Sequence, residues 1–262
     1  RSSAERPRTR LPMNPPSIAH DVVGAASASA GFDAPVFPSV PLRVRWLGTV
    51  SYQEAWSLQR SLHGRPDAEV PSAHMAGEHL LLLEHPHTYT LGRNGDPTHV
   101  LVDPASVGAE LIEADRGGDV TYHGPGQLVA YPIVSLGSLT AKDYVCLLEG
   151  ALIDAVAALG LIGAGRHDGF PGVWVEPNTA NARKVAQIGV RVERGRTLHG
   201  VALNVDPDMS FFDHIVPCGI TDFGVTSLAR EGVEATMREV VDAFAAAFSQ
   251  RWLARQGSRS NG

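Results

Sequence analysis

Residues 184–205, KVAQIGVRVERGRTLHGVALNV, decide how the chain is expected to fold. The stretches 184–193 and 197–205 are rich in Val, Ile and Leu, and the three residues between them, Arg-Gly-Arg, form a short loop that contains glycine. Two strand-like runs joined by such a loop predict an antiparallel β-hairpin. The other elements are assigned outward from this hairpin.

Strand and helix patterns alternate on both sides of the hairpin. Further strands are predicted at 42–48, 79–85, 88–92 and 128–134. Pro132 suggests that the last of these is an edge strand or contains a bulge. Helices are predicted after the caps Ser51 and Thr140, and a last helix carries apolar residues from Met237 to Trp252. The predicted fold class is α/β, a single mixed-sheet domain that is not doubly wound.

Composition defines one folded unit with a tail at each end. Residues 1–41 are rich in Pro, Ser and Ala without a helical or strand period, and we expect a disordered N-terminal tail. Residues 254–262 are expected to form a polar C-terminal tail, which leaves a catalytic domain at 42–253. No run of 18 apolar residues occurs, so we expect no membrane span.

Charge and cysteine content narrow the class of protein. The net charge of −6 argues against a general nucleic-acid binder, which normally has a basic face. Two cysteines make no disulfide framework, and a reducing, cytoplasmic setting is expected. Only two of the 22 basic residues, Lys142 and Lys184, are lysines. Because arginine does not release its proton, these lysines are candidates for acid–base chemistry.

The segment 116–128, RGGDVTYHGPGQL, carries four glycines and a proline between two strand-like runs. This composition is typical of a loop that lays its backbone against a ligand, and we expect it to line a pocket. A long turn without a ligand is the alternative. The segment matches neither a phosphate-binding loop nor a dinucleotide-binding fingerprint.

Cys218 lies in IVPCGI, residues 215–220, where the proline before it and the glycine after it predict a turn. The backbone N–H groups of Cys218 and Gly219 are expected to face a developing oxyanion. A thiol is mostly protonated at neutral pH and needs a base, for which Lys184 is the candidate if it points inward. The alternatives are an inert buried thiol and a solvated strand-end lysine. Cys146, inside an amphipathic helix, is interpreted as a small core residue.

Six histidines fall near the proposed loops, namely His85, His87, His99, His123, His199 and His214. No HExxH or CxxC spacing accompanies them, so no metal site is expected. His123 and His199 are each followed by glycine and are expected to hydrogen-bond substrate or backbone. A purely structural role is the alternative for each.

Five blocks together resemble a known family. They are LLLEHPHTYTLGR (81–93), RGGDVTYHGPGQLVAYP (116–132), RKVAQIGVRV (183–192), LHGVALNV (198–205) and PCGI (217–220). In this order they closely resemble the lipoyl(octanoyl) transferase B family, which are octanoyl-[acyl-carrier-protein]:protein N-octanoyltransferases. The resemblance covers nearly all of residues 42–252.

The resemblance implies a fold similar to the catalytic domain of biotin and lipoate protein ligases, and a role in lipoate biosynthesis. It implies transfer of octanoate from acyl carrier protein to a lysine of lipoyl domains, in 2-oxoacid dehydrogenase complexes and the glycine-cleavage H protein. It implies no separate cofactor, since the acyl group arrives on the carrier's phosphopantetheine. In that family the PCG cysteine carries the acyl group and the lysine of the KVAxIG block sets its pKa, and here these are Cys218 and Lys184.

The family's substrate-contacting stretches fall on Arg116, Gly117, Gly118, Asp119, Val120, Thr121, Tyr122, His123, Gln187, Ile188, Gly189, Gly200, Val201 and Ala202. Asp119 and Gln187 stand at variable positions. A basic rim for an acidic carrier is predicted at Arg183, Arg191, Arg194 and Arg196. The alternatives are an ATP-dependent lipoate or biotin ligase, and a non-catalytic module that binds acyl carrier protein or lipoyl domains.

Overall fold

A computed structural model describes residues 41–64, 77–219 and 222–257. The predicted N-terminal tail lies, except for residue 41, outside the described residues. The strands and longer helices of the described part are β1 (Leu42–Thr49), α1 (Tyr52–His63), β2 (Glu78–Glu84), β3 (Thr88–Leu91), β4 (Glu110–Glu113), β5 (Val120–His123), β6 (Gln127–Ile133), α2 (Ala141–Ala158), β7 (Gly165–His167), β8 (Phe170–Val175), β9 (Arg183–Glu193), β10 (Arg196–Asn204), β11 (Gly224–Val225) and α3 (Met237–Gly257).

The strands form two sheets. The large sheet has the order β1-β2-β6-β10-β9-β8-β7, with β11 paired to the start of β9, and the small sheet has the order β4-β3-β5. Parallel pairs (β1 with β2, β9 with β11, β3 with β4) occur beside antiparallel ones. The predicted mixed-sheet α/β class is therefore confirmed.

The hairpin predicted from 184–205 is β9 and β10. Glu193 pairs with Arg196, so the loop consists of Arg194 and Gly195. Both have positive φ, at 50° and 76°. This is the backbone of the two-residue turns that match the twist of antiparallel strands.

Both faces of the large sheet are covered, which explains the unbroken leucine run of β2. Leu80 and Leu82 pack in a core with α2 and α3, whereas Leu81 and Leu83 pack in a second core with α1. Because side chains alternate along a strand, both sets need an apolar partner. The sheet is thus sandwiched between a helical layer and a second layer that contains α1.

Pro132 does not mark an edge strand, since β6 is paired with β2 on one side and β10 on the other. Its ladder with β10 ends at the pair Ala130–Val201. Farther along, the Thr197 hydroxyl donates to the Pro132 carbonyl at 2.7 Å and accepts from the Val134 amide at 2.9 Å. The ladder thus stops before Pro132, which has no N–H to donate, and the Thr197 side chain bonds the carbonyl of Pro132 and the amide of Val134 in its place. The edge interpretation was wrong because the sequence does not show that a threonine side chain bonds the backbone beside the proline.

The helix caps follow the sequence. Ser51 accepts from the Glu54 amide, and Thr140 and Asp143 form a reciprocal capping box. The last helix continues to Gly257, so it includes positions assigned to the polar tail from residue 254. In the described part of the chain no helix combines the length and apolarity needed to cross a membrane.

Two local interpretations need correction. Cys146 is exposed, not part of the core. It lies between Tyr144 and Leu148, which face the core, and two helical positions turn a side chain by about 200° away from each. The glycine-rich segment is also less loop-like than expected, because Val120–His123 form the buried strand β5.

Candidate active site

A cavity lies between the β9–β10 hairpin and the layer formed by α1 and the small sheet. Its volume is about 30 Å³, and it opens to the surface on one side. Its walls contain eight of the predicted substrate-binding residues, Arg116, Thr121, His123, Gln187, Gly189, Gly200, Val201 and Ala202. Tyr52, Tyr131 and His199 complete the lining. The structure thus brings most of the predicted residues of three separate sequence blocks together.

The other predicted residues are adjacent but do not line this cavity. They are Gly117, Gly118, Asp119, Val120, Tyr122 and Ile188. Tyr122 packs in a separate cluster with Phe211 and bonds His87, and the amide of Gly117 donates to the Val190 carbonyl at 3.0 Å. Their part in substrate binding stays a prediction.

Arg116 brings a positive charge to the cavity wall. The residue is buried, and its guanidinium donates to the hydroxyl and the carbonyl of Thr90 and to the carbonyl of Gly117. Since the rigid fork of arginine is held on several sides, its position is fixed before any ligand binds.

Two polar side chains in the cavity lack protein partners. Within the described residues, neither the nitrogen nor the oxygen of the Gln187 amide forms a hydrogen bond, and neither does the Thr121 hydroxyl. Both residues are about 5 % exposed. Burying an unsatisfied polar group costs roughly 1–3 kcal/mol. Such groups are therefore suited to a bound ligand that carries a hydrogen-bonding atom.

A cluster of aromatic rings and histidines closes one end of the cavity. Tyr52 contacts the rings of His85, His123 and His199. Burial lowers the pKa of His85 to about 4 and lowers the pKa of His123 well below its usual range. These imidazoles are neutral at pH 7, and this end of the cavity offers hydrogen bonds without charge.

His199 connects this cluster to the surface. Its Nε2 donates to Asp115 at 2.6 Å, its Nδ1 lies 3.3 Å from the Tyr52 hydroxyl, and Arg191 forms an ion pair with the same Asp115. Its backbone amide donates to the side-chain oxygen of Gln59 at 2.7 Å. His199 has a positive φ of 58°, which non-glycine residues rarely adopt and which these bonds hold in place.

A bulge in β9 turns Lys184 toward the cavity face. Val173 pairs with Ala186 but the next residue, Trp174, pairs with Lys184, so β9 contains one extra residue. Val185 and Ala186 both pack into the helical core, which leaves Lys184 on the opposite face. Bulges commonly re-aim a side chain in this way. Lys184 is buried as expected, with Nζ 4.6 Å from the centroid of the Trp174 ring.

The backbone of Pro217–Gly219 forms a single 3₁₀ turn, as the proline and glycine predict. The side chain of Cys218 lies outside the described part of the structure. The chain after the turn returns to Lys184: Val225 in β11 pairs with it, and the Thr226 amide donates to its carbonyl at 2.9 Å. Phe223 stacks edge-on against Trp174. The segment that follows the cysteine turn and Lys184 therefore lie side by side in the large sheet.

The oxyanion role expected for the Gly219 amide does not fit this backbone. The amide donates to the Val216 carbonyl at 3.0 Å, and this bond closes the turn. A hydrogen already committed there is not available to a substrate oxygen. The expectation failed because a Pro-Cys-Gly sequence does not reveal which carbonyl its amides face.

The predicted basic rim is dispersed. Arg196 is buried and donates to three backbone carbonyls as well as to Ser135. Arg183 is ion-paired with Glu176 and Glu231, and Arg191 with Asp115 and Glu193. Arg183 also stands at the opposite end of the hairpin from Arg194. The four arginines therefore do not form one basic surface.

Sequence reasoning missed Tyr52 and Tyr131. Tyr52 is the first residue of α1, and Tyr131 lies in the apolar strand β6. Both read as ordinary core positions. Their placement depends on how α1 docks across β6 and β10, which no local pattern gives.

Known proteins are similar to this chain in sequence. Residues 51–249 match the lipoyl protein ligase A/B catalytic domain. An octanoyltransferase of Mycobacterium sp. (strain KMS) is 49% identical over 209 residues, covering 79% of this chain and 83% of the relative. An octanoyltransferase of Corynebacterium jeikeium is 47% identical over 201 residues, covering 74% and 80%.

Solved structures agree on the fold. A putative lipoate protein ligase from T. acidophilum superimposes with a TM-score of 0.61 at 17% identity, covering 80% of this chain and 84% of that one. Lipoate-protein ligase A bound with ATP gives a TM-score of 0.62 at 18% identity, with 80% and 85% covered. The fold predicted from the resemblance to lipoate ligases is confirmed.

The buried His85 predicts a pH-dependent stability. Its Nδ1 donates to the Val50 carbonyl and its Nε2 accepts from Tyr131, and the rings of Tyr52 and His123 also contact it. Its folded pKa of about 4 lies below the unfolded 6.5, so the unfolded chain takes up a proton that the folded chain refuses. Stability from this residue is complete above pH 6.5 and is lost as the pH falls toward 4, by roughly 3 kcal/mol.

Urea denaturation at several pH values between 7 and 4.5 measures this loss. We expect His85→Gln to give a shallower decline in the free energy of unfolding with falling pH than the wild type, whatever its stability at pH 7. Parallel declines for the two proteins would refute the assignment.

Proposed function

The chain belongs to the lipoyl protein ligase A/B catalytic-domain family, and from this premise we propose that it transfers an octanoyl group through a thioester on Cys218. It is an octanoyltransferase, an enzyme of lipoate biosynthesis. The observation that carries this activity is the 44–49% identity to octanoyltransferases over most of their length. The cysteine and lysine roles and the identity of the donor are the finer parts of the proposal.

Lys184 accepts the proton of the Cys218 thiol in the first step. The thiolate sulfur attacks the thioester carbon of the acyl carrier protein, the new C–S bond forms, and the bond to the carrier sulfur breaks. The carrier thiolate takes the proton back from Lys184 and leaves as a thiol. A thioester is already an activated acyl donor, so the exchange needs no ATP and no other cofactor. Burial of Lys184 on the cavity face supports its role.

The second step moves the acyl group to an amine. The neutral amine of a lipoyl-domain lysine attacks the acyl-Cys218 carbon, an amide C–N bond forms, and the C–S bond to Cys218 breaks. The proton lost by the amine passes through Lys184 to the departing sulfur, which restores the free thiol. The free enzyme is therefore regenerated without any change in oxidation state.

In the proposal the carbonyl end of the acyl group binds at this cavity. Burial of apolar chain stabilises binding by about 0.8 kcal/mol per CH₂. The glycines at 189 and 200 let the backbone of Gly117 and Ala130 pack closely against the hairpin. The unpaired amide of Gln187 and hydroxyl of Thr121 are hydrogen-bond donors for the acyl carbonyl oxygen. These two side chains take the role that was expected of the Gly219 backbone amide, which donates to the Val216 carbonyl instead.

The partners follow from the same chemistry. The donor is octanoyl acyl carrier protein, and the acceptors are lipoyl domains of 2-oxoacid dehydrogenase complexes and the glycine-cleavage H protein. A cytoplasmic setting, expected from the cysteine content, keeps Cys218 reduced. An ATP-dependent ligase is disfavoured, because the relatives named octanoyltransferase share far more sequence with this chain than the ligases of the same fold. A non-catalytic binding module would need neither Cys218 nor Lys184.

Cys218→Ser is expected to abolish octanoyl transfer, because the serine hydroxyl is a far weaker nucleophile than a thiolate. Wild-type enzyme mixed with octanoyl carrier protein should gain one octanoyl mass, located on Cys218 by peptide mass spectrometry. Cys146→Ser is the matched control, and it should keep full activity because Cys146 is exposed on α2. A label on Cys146, or product from free octanoate and ATP without carrier, contradicts the mechanism.

Lys184→Arg is expected to lower the turnover number by about 10²-fold or more, although it keeps the positive charge, because arginine does not act as a base. Lys142→Arg makes the same change at the chain's other lysine, which is exposed, and should leave the turnover number unchanged. Steady-state transfer to a lipoyl domain measures both. An active Lys184→Arg enzyme would reduce Lys184 to an electrostatic role.

Gln187→Met is expected to raise the free energy of unfolding by about 1 kcal/mol while it lowers kcat/KM, because the substitution removes two unsatisfied polar atoms that the substrate needs. Gln127→Met is the matched control with the opposite sign. The Gln127 amide bonds His123, Asn204 and the Tyr122 carbonyl, so its loss should destabilise the fold. A Gln187→Met protein that is less stable than wild type would show that the amide is satisfied in solution.

A further inference from the structure

Asp119 does not line the cavity, although the sequence places it among the substrate-binding residues. Its Oδ1 accepts from the backbone amides of Val120, at 2.7 Å, and Asp96, at 3.0 Å. Its Oδ2 accepts from Nδ1 of His99 at 2.5 Å. The Asp119 carboxylate thus accepts from three donors of the protein itself. Asp119 and His99 form a hydrogen-bonded pair, and the neighbours of this pair indicate its role.

The His99–Asp119 pair packs directly against the cysteine turn. A Cβ placed on Gly219 would lie 2.9 Å from Oδ2 of Asp119 and 3.3 Å from Cε1 of His99. A larger residue there would press on both side chains, and the φ of +66° also favours glycine. The two side chains therefore form the wall against which the residue after Cys218 rests.

The other end of the turn is fixed to the same histidine. The Val216 amide donates to the His99 carbonyl at 2.8 Å, and Val100 and Ile215 form an antiparallel bridge. His99 thus holds the chain on both sides of Cys218, by its backbone before the turn and by its side chain after it.

The pair also connects the turn to the cavity wall. The Asp119 carbonyl accepts from the Gly92 amide at 3.2 Å, and β5 begins at the next residue, Val120. Thr121 of that strand lines the cavity. A shift of the Asp119 side chain would therefore change the distance between the turn and the strand that faces the acyl group.

We propose that His99 and Asp119 are positioning residues that set the place of Cys218 relative to the acyl cavity. The inference rests on the proposed function, in which Cys218 is the nucleophile. The side chains are 30% and 12% exposed, and a polar side-chain pair so near the surface contributes little to stability. Its effect is on geometry, because a displacement of about 1 Å at a reacting group can slow a reaction by 10²-fold.

Three variants separate this role from a merely structural one. His99→Leu removes the Nδ1 donor, Asp119→Asn replaces the oxygen that accepts from it, and His99→Asn keeps a side-chain amide near the place of Nδ1. In single-turnover acylation by octanoyl carrier protein, His99→Leu and Asp119→Asn should slow the acylation of Cys218 at least about tenfold. His99→Asn should recover most of the rate, and the double variant His99→Leu/Asp119→Asn should be no slower than either single one.

Two further measurements complete the test: the KM for the carrier and the rate of alkylation by iodoacetamide. The KM for the carrier should change less than about twofold in all variants, since the pair does not line the acyl cavity. Alkylation by iodoacetamide should slow at Cys218 and stay unchanged at the exposed Cys146 of the same molecule. Wild-type acylation rates in His99→Leu, or equal loss in His99→Leu and His99→Asn, would overturn the proposal.

The two proposals fail in different ways. If the wild type forms no acyl-Cys218, the proposed function is wrong. If it does, and the alkylation and acylation rates of Cys218 are the same in the variants as in the wild type, only the positioning role is wrong. A variant whose Cys146 also reacts abnormally is not natively folded, and Asp119→Asn, which is isosteric with aspartate and keeps Oδ1, then decides the question.

Discussion

One extra residue in β9, opposite Val173 and Trp174, turns the side chain of Lys184 to the cavity face of the sheet. Without it, strand alternation would direct Lys184 into the apolar core beneath α2 and α3. The neighbouring ladder ends at the same place: β10 pairs only as far as Ala186, and β11 pairs with Lys184 instead. The chain that follows the cysteine turn is thereby fastened to the lysine's own strand.

The cavity walls contain several features that lower the stability of the fold. Gln187 and Thr121 hold buried polar atoms without protein partners, and His199 keeps a backbone conformation that costs about 1–3 kcal/mol. Nearby residues offset these costs: Gln59 and Asp115 bond His199, and the large sheet is covered on both faces. Violations of folding rules gathered in one cavity mark a functional site more strongly than any single motif.

Local patterns predicted the elements that depend on local physics. The 184–205 hairpin follows from two apolar runs joined by a short loop with glycine, and the helix after Thr140 follows from its cap and its apolar period. Predictions failed where a distant partner decides. Thr197 bonds around Pro132 and makes an interior position possible, and the five ordered blocks indicated the cavity residues only through resemblance. Asp119 was assigned to the substrate through the same resemblance, and no sequence pattern shows that His99 faces it.

A fold shared with lipoate ligases does not fix how the acyl group is activated. A ligase must activate a free acid, whereas a thioester donor arrives activated, so the same fold is compatible with either reaction. What a transferase adds is a thiol held at a defined place beside a base. In this chain the turn at 217–219 is short, and contacts to His99 and Asp119 hold it on one side while β11 returns the chain to Lys184 on the other. The residues that distinguish the two reactions are therefore expected among the supports of this turn as much as in the cavity itself.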